Sequence, residues 1–510
     1  MLFNSAEFIF VFLPFTIASY FFLSRKRHEL GIAWVMLASM GFYAYWNPIY
    51  VLLLLVSASA NYLAGRALSA KARTNAGRRL LTAAIIFDLA LLGYYKYANF
   101  FIDNMNLIAG THIVLAPIIL PLGISFFTFT QIAFLVDAYR GEAREPKLLH
   151  YLLFVSYFPH LIAGPILHHK EMMPQFASAT ASGFDGARVV TGIVIFGIGL
   201  MKKVVLADGI ATFAAPVFDA ADAGIRPMLF QAWGGALAYT FQLYFDFSGY
   251  CDMAIGASWM MGIGLPLNFN SPYKARNVID FWRRWHMTLS RFLRDYLYIA
   301  LGGNRRGSVR RFVNLFLTMV IGGLWHGAGW TFVIWGGLHG VYLIVNHAWR
   351  SVSQQIRLPH LPILGGLASW LFTFAAVVVG WVFFRAQSVD AALRIVAGMA
   401  GLNGCDLPHG MFGCSSLAQT FSLFPQPAGT ALLMWVWCLA LGSIALFFPN
   451  TQELMRSYLS GITRPATTPS SSWVPLCFER SFWWATAFAV IAAAALIGLP
   501  QPTSFLYFNF

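Results

Sequence analysis

Runs of apolar residues, each close to the length needed to cross a lipid bilayer, alternate along this chain with short basic segments. A membrane-spanning helix needs about 20 mostly apolar residues. Two of the shorter runs, 30–46 and 335–349, are typical of broken or re-entrant helices. The runs that predict helices are 7–24, 30–46, 49–65, 80–98, 113–136, 148–169, 187–206, 228–248, 312–334, 335–349, 363–384, 429–448 and 482–499. The pattern predicts an all-α, polytopic membrane protein.

Clusters of Lys and Arg predict how these helices are oriented, because such clusters accumulate on the cytoplasmic side of a membrane. The amino terminus is then expected outside the cytoplasm. The stretch 249–273 is expected to return to the cytoplasm as a re-entrant loop. The clusters are Arg25 to Arg27, 66–79, 140–147, Lys202 with Lys203, and 274–311.

The composition is that of a chain surrounded by lipid. Of the 510 residues, 58% are hydrophobic and 11% are charged, whereas a soluble domain is about 25% charged. The mean hydropathy is +0.64. Such a chain cannot build a normal water-facing surface, which excludes soluble enzymes, disordered proteins and nucleic-acid-binding domains. The net charge of +14 therefore indicates the cytoplasmic excess of Lys and Arg, and no nucleic-acid partner.

Residues 280–301 differ from the apolar runs, because aromatic and aliphatic residues alternate there with Arg at helical spacing. This pattern predicts one amphipathic helix at the cytoplasmic interface. Its arginines suit either the phosphates of an anionic cytosolic donor or lipid head groups. His286 lies among them, as a functional candidate or as an ordinary interfacial histidine. These arginines are Arg283, Arg284, Arg291 and Arg294.

The apolar stretch 321–340 contains two histidines, His326 and His339, among Trp, Gly and aliphatic residues. Ionisable side chains inside a membrane are costly and mark functional sites by default. Neutral His can act as a general base near neutral pH, although hydrogen-bonded packing is the alternative for each. On one continuous helix the two histidines would lie about 20 Å apart and on different faces. They therefore predict one reacting histidine and no shared metal ion.

The other charged residues near or within apolar runs are expected to have structural roles. Asp246, at the end of an apolar run, is expected to cap a helix or to pair with an Arg. Asp88, Lys96 and Asp137 lie near or within other runs and are expected only to pair with neighbours.

Cysteines are few, and two of the five, Cys405 and Cys414, flank a loop at about 403–428. The charge pattern places this loop outside, where an oxidising compartment permits a disulfide. The chain has no Cys or His spacing of the zinc type and no phosphate loop. No metal site is expected.

Several motifs together resemble the membrane-bound O-acyltransferase (MBOAT) family. The most specific are Arg284-Trp285-His286 and Trp325-His326-Gly327. Within the family, the chain is similar to the bacterial subgroup of alginate O-acetylation membrane proteins, through the further stretches 2–14, 42–46, 121–126 and 505–510. The resemblance covers almost the whole chain apart from the loop 403–428. It implies a single domain, 1–510, with a motif core at about 240–345.

The resemblance also implies a fold and a set of site residues. The family fold is a ring of tilted helices around a central funnel, here with roughly 11–13 spans plus re-entrant and interfacial helices. The family's catalytic histidine corresponds to His326 and its second functional histidine to His286. His339 is similar to a further histidine of the alginate subgroup. The residues expected to bind the donor are Arg283, Arg284, Arg291, Arg294, Trp285 and Trp325.

By the same resemblance, the chain is expected to be a multi-pass enzyme of the bacterial inner membrane. It would pass acetyl groups from acetyl-CoA toward an exported polysaccharide such as alginate, without a bound cofactor. Because the chain lacks a Gly-x-Ser-x-Gly elbow, a separate periplasmic, hydrolase-like acetyltransferase is expected as its partner. Peptidoglycan O-acetylation, D-alanyl transfer to teichoic acid, and non-enzymatic polymer or lipid transport are the alternatives.

Overall fold

The computed structural model describes residues 1–116, 118–145, 147–178, 183–356, 362–405, 429–459, 476, 478, 481–498, 505 and 506. Within these ranges the secondary structure is helical and includes no strand. The α-helices are α1 Leu13–Lys26, α2 His28–Ala44, α3 Ile49–Ala70, α4 Asn75–Leu92, α5 Ala98–Ala109, α6 Ile124–Arg140, α7 Leu148–Ser156, α8 Phe158–Leu161, α9 His169–Ala177, α10 Gly186–Met201, α11 Asp208–Asp222, α12 Leu229–Met260, α13 Val278–Trp282, α14 Met287–Phe292, α15 Gly307–His326, α16 Trp330–Ile356, α17 Pro362–Arg385, α18 Val389–Met399, α19 Gly429–Phe447, α20 Thr451–Leu454 and α21 Phe482–Ile497.

Short π-helical segments adjoin several of these helices. They comprise Phe8–Phe12 before α1, Gly93–Tyr97 between α4 and α5, Lys202–Ala207 between α10 and α11, and Leu293–Tyr298 after α14. Such segments widen a helix locally and are frequent at functional sites. Two of the four contain lysines that are withdrawn from solvent to different degrees: Lys203 is buried and Lys96 is half-buried.

Four of the described helical stretches are long and apolar enough to cross a membrane, judged by length and composition. The predicted range of 11–13 spans also counted shorter or more polar stretches. The four are Phe8–Lys26, Ile49–Ala70, Gly186–Asp222 and Gly365–Arg385, and two shorter apolar helices are Ala431–Phe447 and Trp483–Ile497. The all-α, polytopic membrane class is confirmed.

Lys202 and Lys203, predicted as a basic cluster between two spans, lie instead in the middle of the continuous helical stretch α10–α11. Lys203 Nζ lies 2.7 Å from Asp246 Oδ1, and Lys202 Nζ lies 2.6 Å from Asp252 Oδ2. Both carboxylates belong to α12. A buried charge is tolerated when it is paired and hydrogen-bonded, so these lysines join two helices. Asp246 thus pairs with a lysine and not with an arginine.

The antiparallel packing of α12 on α10–α11 also removes the need for a re-entrant loop at 249–273. Gly199 packs on Gly249 and Gly235 packs on Val217, so the two stretches run in opposite directions. α12 is 32 residues long and ends at Met260, so the predicted re-entrant stretch begins inside a continuous helix. The predicted span over 148–169 is wrong as well, because this region forms the short helices α7 and α8 and the connection to α9.

The segment 280–301 is not one amphipathic helix at the interface. It forms α13, a turn, α14 and a π-helical segment. The turn exists because the backbone at 283–287 bonds to an extended neighbouring stretch: Asn270 N donates to Arg284 O at 2.9 Å and Met287 N donates to Asn268 O at 2.9 Å. Trp285 and His286 are buried, so the segment lies inside the helical assembly.

The loop at about 403–428 is largely outside the described residues. Cys405 is exposed, and Cys414 lies outside the described residues, so their disulfide stays a prediction.

Candidate active site

His326 is the last residue of α15, at the tip of a helical hairpin. The chain leaves the helix at Gly327 in an extended conformation, with φ −157° and ψ 149°, and α16 begins three residues later at Trp330. The predicted boundary between two spans at 334 and 335 is therefore at 327–329. A Cβ on Gly323 would collide with the Phe332 carbonyl, and a Cβ on Gly336 with that of Met319. Glycine at these positions lets α15 and α16 pack backbone to backbone.

Aromatic rings surround the His326 imidazole, which is 4% exposed. Its ring centroid lies 4.9 Å from that of Trp325, 5.1 Å from that of Trp335 and 5.2 Å from that of Phe384. These contacts exclude water from most of the ring and leave little room for it to reorient. A histidine held in this way is suited to proton transfer at a fixed position.

Lys96 holds the end of the helix that carries His326. Its amine donates to Trp325 O at 2.6 Å, to His326 O at 3.0 Å and to Ser125 Oγ at 3.3 Å. The neighbouring Tyr97 hydroxyl donates to Leu324 O at 2.8 Å. The last four carbonyls of a helix have no partner within it, and two side chains satisfy three of them here. From the sequence, Lys96 was expected only to pair with a neighbour. The one feature that could have indicated its role was the position of a lysine at the end of an apolar run.

A cavity of about 620 Å³ reaches His326 from the side of the amino terminus. Lys96, Ser125, Trp325 and His326 form its inner end, and the chain start and the α2–α3 connection line its outer part. The charge pattern places both of those outer segments outside the cytoplasm. A substrate group can thus approach His326 through this cavity.

His286 is brought next to His326, although 39 positions lie between them along the chain. The two ring centroids are 6.5 Å apart. His286 is 0% exposed and has a left-handed backbone conformation, with φ +42°, which costs on the order of 1 kcal/mol or more outside glycine. This burial argues against the alternative of an ordinary interfacial histidine.

Asn268 fixes the orientation of the His286 ring. His286 Nδ1 donates to Asn268 Oδ1 at 2.9 Å, and the Thr288 hydroxyl donates to the same oxygen at 2.9 Å. An amide oxygen only accepts, so this contact assigns the proton to Nδ1 and leaves Nε2 as the acceptor nitrogen of the neutral ring. No sequence motif indicated Asn268, because it lies in an irregular segment far from both histidines.

His339 lies behind Trp335, as seen from His326. The Trp335 ring centroid is 5.0 Å from that of His339 and 5.1 Å from that of His326. Trp282 contacts His339 from another side, with centroids 5.2 Å apart. Neither ring nitrogen of His339 has a hydrogen-bond partner among the described residues. The hairpin thus brings together His326 and His339, which a continuous helix would have separated, and the turn before α14 adds His286 to the same cluster.

The four arginines predicted to bind the donor do not form one group of unpaired guanidinium ions, because three of them are paired with carboxylates. Arg284 Nε pairs with Asp280 Oδ2 at 3.0 Å, Arg294 makes two hydrogen bonds to Asp295, and Arg291 makes two to Glu171. Arg283 is exposed. Trp285 is 2% exposed and packs between Phe269, Phe281 and Trp381, whereas Trp325 lines the cavity at His326.

One further cluster, Asp137 with His168 and His169, has the side-chain types of a metal site. Its contacts favour a hydrogen-bond network centred on the Asp137 carboxylate instead. The Lys170 amide donates to His168 Nδ1 at 3.3 Å, which assigns the His168 proton to Nε2, 3.0 Å from Asp137 Oδ2. The Tyr296 hydroxyl donates to the same carboxylate oxygen at 2.6 Å. A nitrogen that carries a proton cannot ligate a metal.

Comparison with known proteins agrees with the motifs. The family model of MBOAT, the membrane-bound O-acyltransferase family, matches residues 33–387. The chain is 46% identical to a peptidoglycan O-acetyltransferase of Helicobacter pylori, over 80% of this chain and 81% of that protein. It is 42% identical to a probable alginate O-acetylase of Azotobacter vinelandii, over 78% of each. A teichoic acid D-alanyltransferase of Bacillus subtilis is 32% identical over 52% of this chain and 69% of that protein.

Proposed function

Because this chain belongs to the membrane-bound O-acyltransferase family, we propose that it passes acetyl groups from cytosolic acetyl-CoA to a glycan outside the bacterial inner membrane. One observation carries the proposal. His326 is buried at the inner end of a cavity lined by the chain start and the α2–α3 connection, both expected outside the cytoplasm, and His286 reaches it from within the basic region 274–311, which is expected to be cytoplasmic. An acceptor from outside and a donor from inside would therefore meet at His326.

In the proposed reaction His326 is the general base. It takes the proton of the acceptor hydroxyl while the hydroxyl oxygen attacks the acetyl carbonyl. The new carbon–oxygen bond forms, the carbon–sulfur bond of the thioester breaks, and His326 returns the proton to the leaving thiolate. The alternative is an acetyl group carried transiently on the imidazole, which mass spectrometry of acid-quenched enzyme would detect.

The neighbouring residues have distinct proposed roles. Lys96 and Tyr97 hold the carbonyls of the last turn of α15 and so fix where His326 stands. His286, oriented by Asn268, presents Nε2 as a second proton acceptor. His339 acts as a positioning residue through Trp335, which lies between it and His326.

The donor is proposed to enter from the cytoplasmic side, where its phosphates meet exposed Arg283. Arg284, Arg291 and Arg294 would each have to release a carboxylate before they could hold a phosphate. Trp325, in the cavity wall, would pack against the acyl end of the donor. A separate periplasmic, hydrolase-like acetyltransferase is proposed to take the acetyl group from this chain and to pass it to the glycan, since this chain has no Gly-x-Ser-x-Gly elbow.

Two acceptors have specific support. An exported polysaccharide such as alginate is supported by several relatives that are named probable alginate O-acetylases and are 40–42% identical. Peptidoglycan is supported by the relative that is 46% identical. D-alanyl transfer has less support, because its relatives match 46–52% of this chain at 30–32% identity.

The test is a measurement of ester-linked acetate, released by mild base, in separated exopolysaccharide and peptidoglycan fractions. We would compare the native strain with a strain carrying His326→Ala at equal membrane abundance. His112→Ala, at an exposed histidine in the connection after α5, is the matched control and should leave both fractions unchanged. Loss from one fraction alone would identify the acceptor, while no loss from either would refute acetyl transfer through His326.

A further inference from the structure

A second large cavity lies away from His326, between the carboxyl-terminal half of α16, the first turns of α17 and the stretch before α13. Its volume is about 1020 Å³. Apolar side chains form much of its wall, including Trp349 and Phe372, which are 58% and 76% exposed. Large apolar side chains this exposed are expected where lipid replaces water. The cavity is therefore a cleft that opens sideways between two helices.

Two arginines, Arg276 and Arg350, also line the cleft. Both are exposed, and across the described ranges neither has a carboxylate in salt-bridge contact, in contrast to Arg284, Arg291 and Arg294. The Arg276 Nη1 atom lies 3.6 Å from the point that a Cβ on Gly366 would occupy. Its guanidinium thus extends across the cleft to α17. An apolar cleft with two arginines complements an amphiphile that has a negatively charged head.

The level of the cleft in the membrane follows from the packing of α15 and α16. Gly336 packs on Met319 and Gly340 packs on Phe316, so the two helices are antiparallel. The carboxyl-terminal half of α16, with Trp349 and Arg350, therefore lies beside the amino-terminal end of α15. That end follows the basic residues 305–306 and carries two more arginines, which the positive-inside rule places at the cytoplasmic surface.

We propose that this cleft binds one anionic phospholipid of the cytoplasmic leaflet. The phosphate would lie between the guanidinium groups of Arg276 and Arg350, and an acyl chain would run along Trp349 and Phe372. Basic pockets between membrane helices on the cytoplasmic side are suited to anionic head groups, and arginine matches the oxygens of a phosphate with paired N–H donors. The cleft is separate from the cavity at His326, so the proposal does not depend on the acyl-transfer assignment.

The experiment is native mass spectrometry of the purified full chain, exchanged into mixed micelles with equal amounts of dioleoyl phosphatidylglycerol and dioleoyl phosphatidylcholine. We expect one phosphatidylglycerol to be retained per protein, with a preference of about thirtyfold for two arginines near the surface. The variant Arg276→Gln with Arg350→Gln should lose most of that preference. The matched control, Arg78→Gln with Arg79→Gln, removes two charges from α4 and should retain it.

A variant that fills the cleft tests whether lipid binding needs the open cleft as well as the two arginines. Gly366→Leu adds a side chain inside the cleft, and its Cβ makes only ordinary contact with Arg276; we expect it to lose the retained lipid with both arginines intact. Monodisperse elution in size-exclusion chromatography shows that each variant is folded. Equal retention of the two lipids by the native chain, or unchanged preference in the double arginine variant, would overturn the proposal. Displacement of the lipid by coenzyme A at equal stoichiometry would overturn it too, because the occupant would then be the donor.

Discussion

Replacing Lys96 with Met tests whether the end of α15 must be held for catalysis. Met preserves an unbranched, apolar chain but removes all the hydrogen-bond donors of the amine. The carbonyls of Trp325 and His326, now bonded at 2.6 and 3.0 Å, would lose this donor in a site walled by aromatic rings. Each buried acceptor left without a donor costs about 1–3 kcal/mol. We therefore expect the free energy of unfolding to fall by about 2–4 kcal/mol.

The effect on activity should exceed the effect on stability. Without the amine, the last turn of α15 is free to move toward other donors, and His326 moves with it. A displacement of about 1 Å at a reacting group reduces the rate on the order of 100-fold. We expect Lys96→Met to lower the turnover of acetyl transfer by about that factor, with a smaller change in KM for acetyl-CoA.

Two further variants make the test quantitative. Tyr97→Phe removes only the bond to Leu324 O and should cost about 1 kcal/mol and less than tenfold in turnover. Lys26→Met removes an exposed lysine from the end of α1 and should change stability by less than about 0.5 kcal/mol. The assay is acetyl transfer by detergent-purified enzyme, with thermal unfolding measured on the same samples. Turnover of Lys96→Met within twofold of the native value, in folded protein, would refute the reasoning.

Three other predictions follow from contacts around the site and in the core. Asn268→Ala removes the acceptor that orients His286, and should lower turnover about 10- to 100-fold, with folding intact by circular dichroism; native turnover would contradict that role. Lys203→Met leaves Asp246 buried without its lysine, and should lower the free energy of unfolding by about 3–5 kcal/mol. Adding Asp246→Leu should recover most of the loss in chemical denaturation, and a double variant as unstable as the single one would show that the pair is not coupled. Gly323→Leu should separate α15 from α16 and abolish the ester-linked acetate of the glycan fractions while the protein is still inserted, as checked by membrane fractionation; full activity would contradict the close packing.

The pairing of Lys202 and Lys203 shows a limit of rules based on sequence. The positive-inside rule treated Lys202 and Lys203 as a cytoplasmic cluster, although each is paired with a carboxylate on α12. The rule considers only the charges of neighbouring residues in the sequence. It takes no account of a carboxylate partner that lies about 45 residues away. Asp246 and Asp252 were visible in the sequence, but helical periodicity within one run does not say which run it packs against.

The two histidine motifs illustrate a different limit. The Trp-His-Gly and Arg-Trp-His motifs singled out His326 and His286 as candidate site residues, because an ionisable side chain among apolar residues is unusual in any context. The distance between the two histidines in space could not be predicted from the sequence. A turn at 283–286 and a break at 327–329 decide it, and both depend on contacts with distant segments.

Class and family were determined by the sequence alone. The very low content of charged residues and the repeated long apolar runs are compatible only with a membrane protein. The histidine motifs are specific enough to indicate acyl transfer. The tertiary structure decided the rest. It sets the distance of 6.5 Å between the ring centroids of His286 and His326, the position of Trp335 against the His339 ring, and the hydrogen bond from Lys96 to the end of α15. The physical reason is that composition and periodicity are sums over neighbours in the chain. A reacting site depends on hydrogen bonds and ring contacts between segments that only folding brings together.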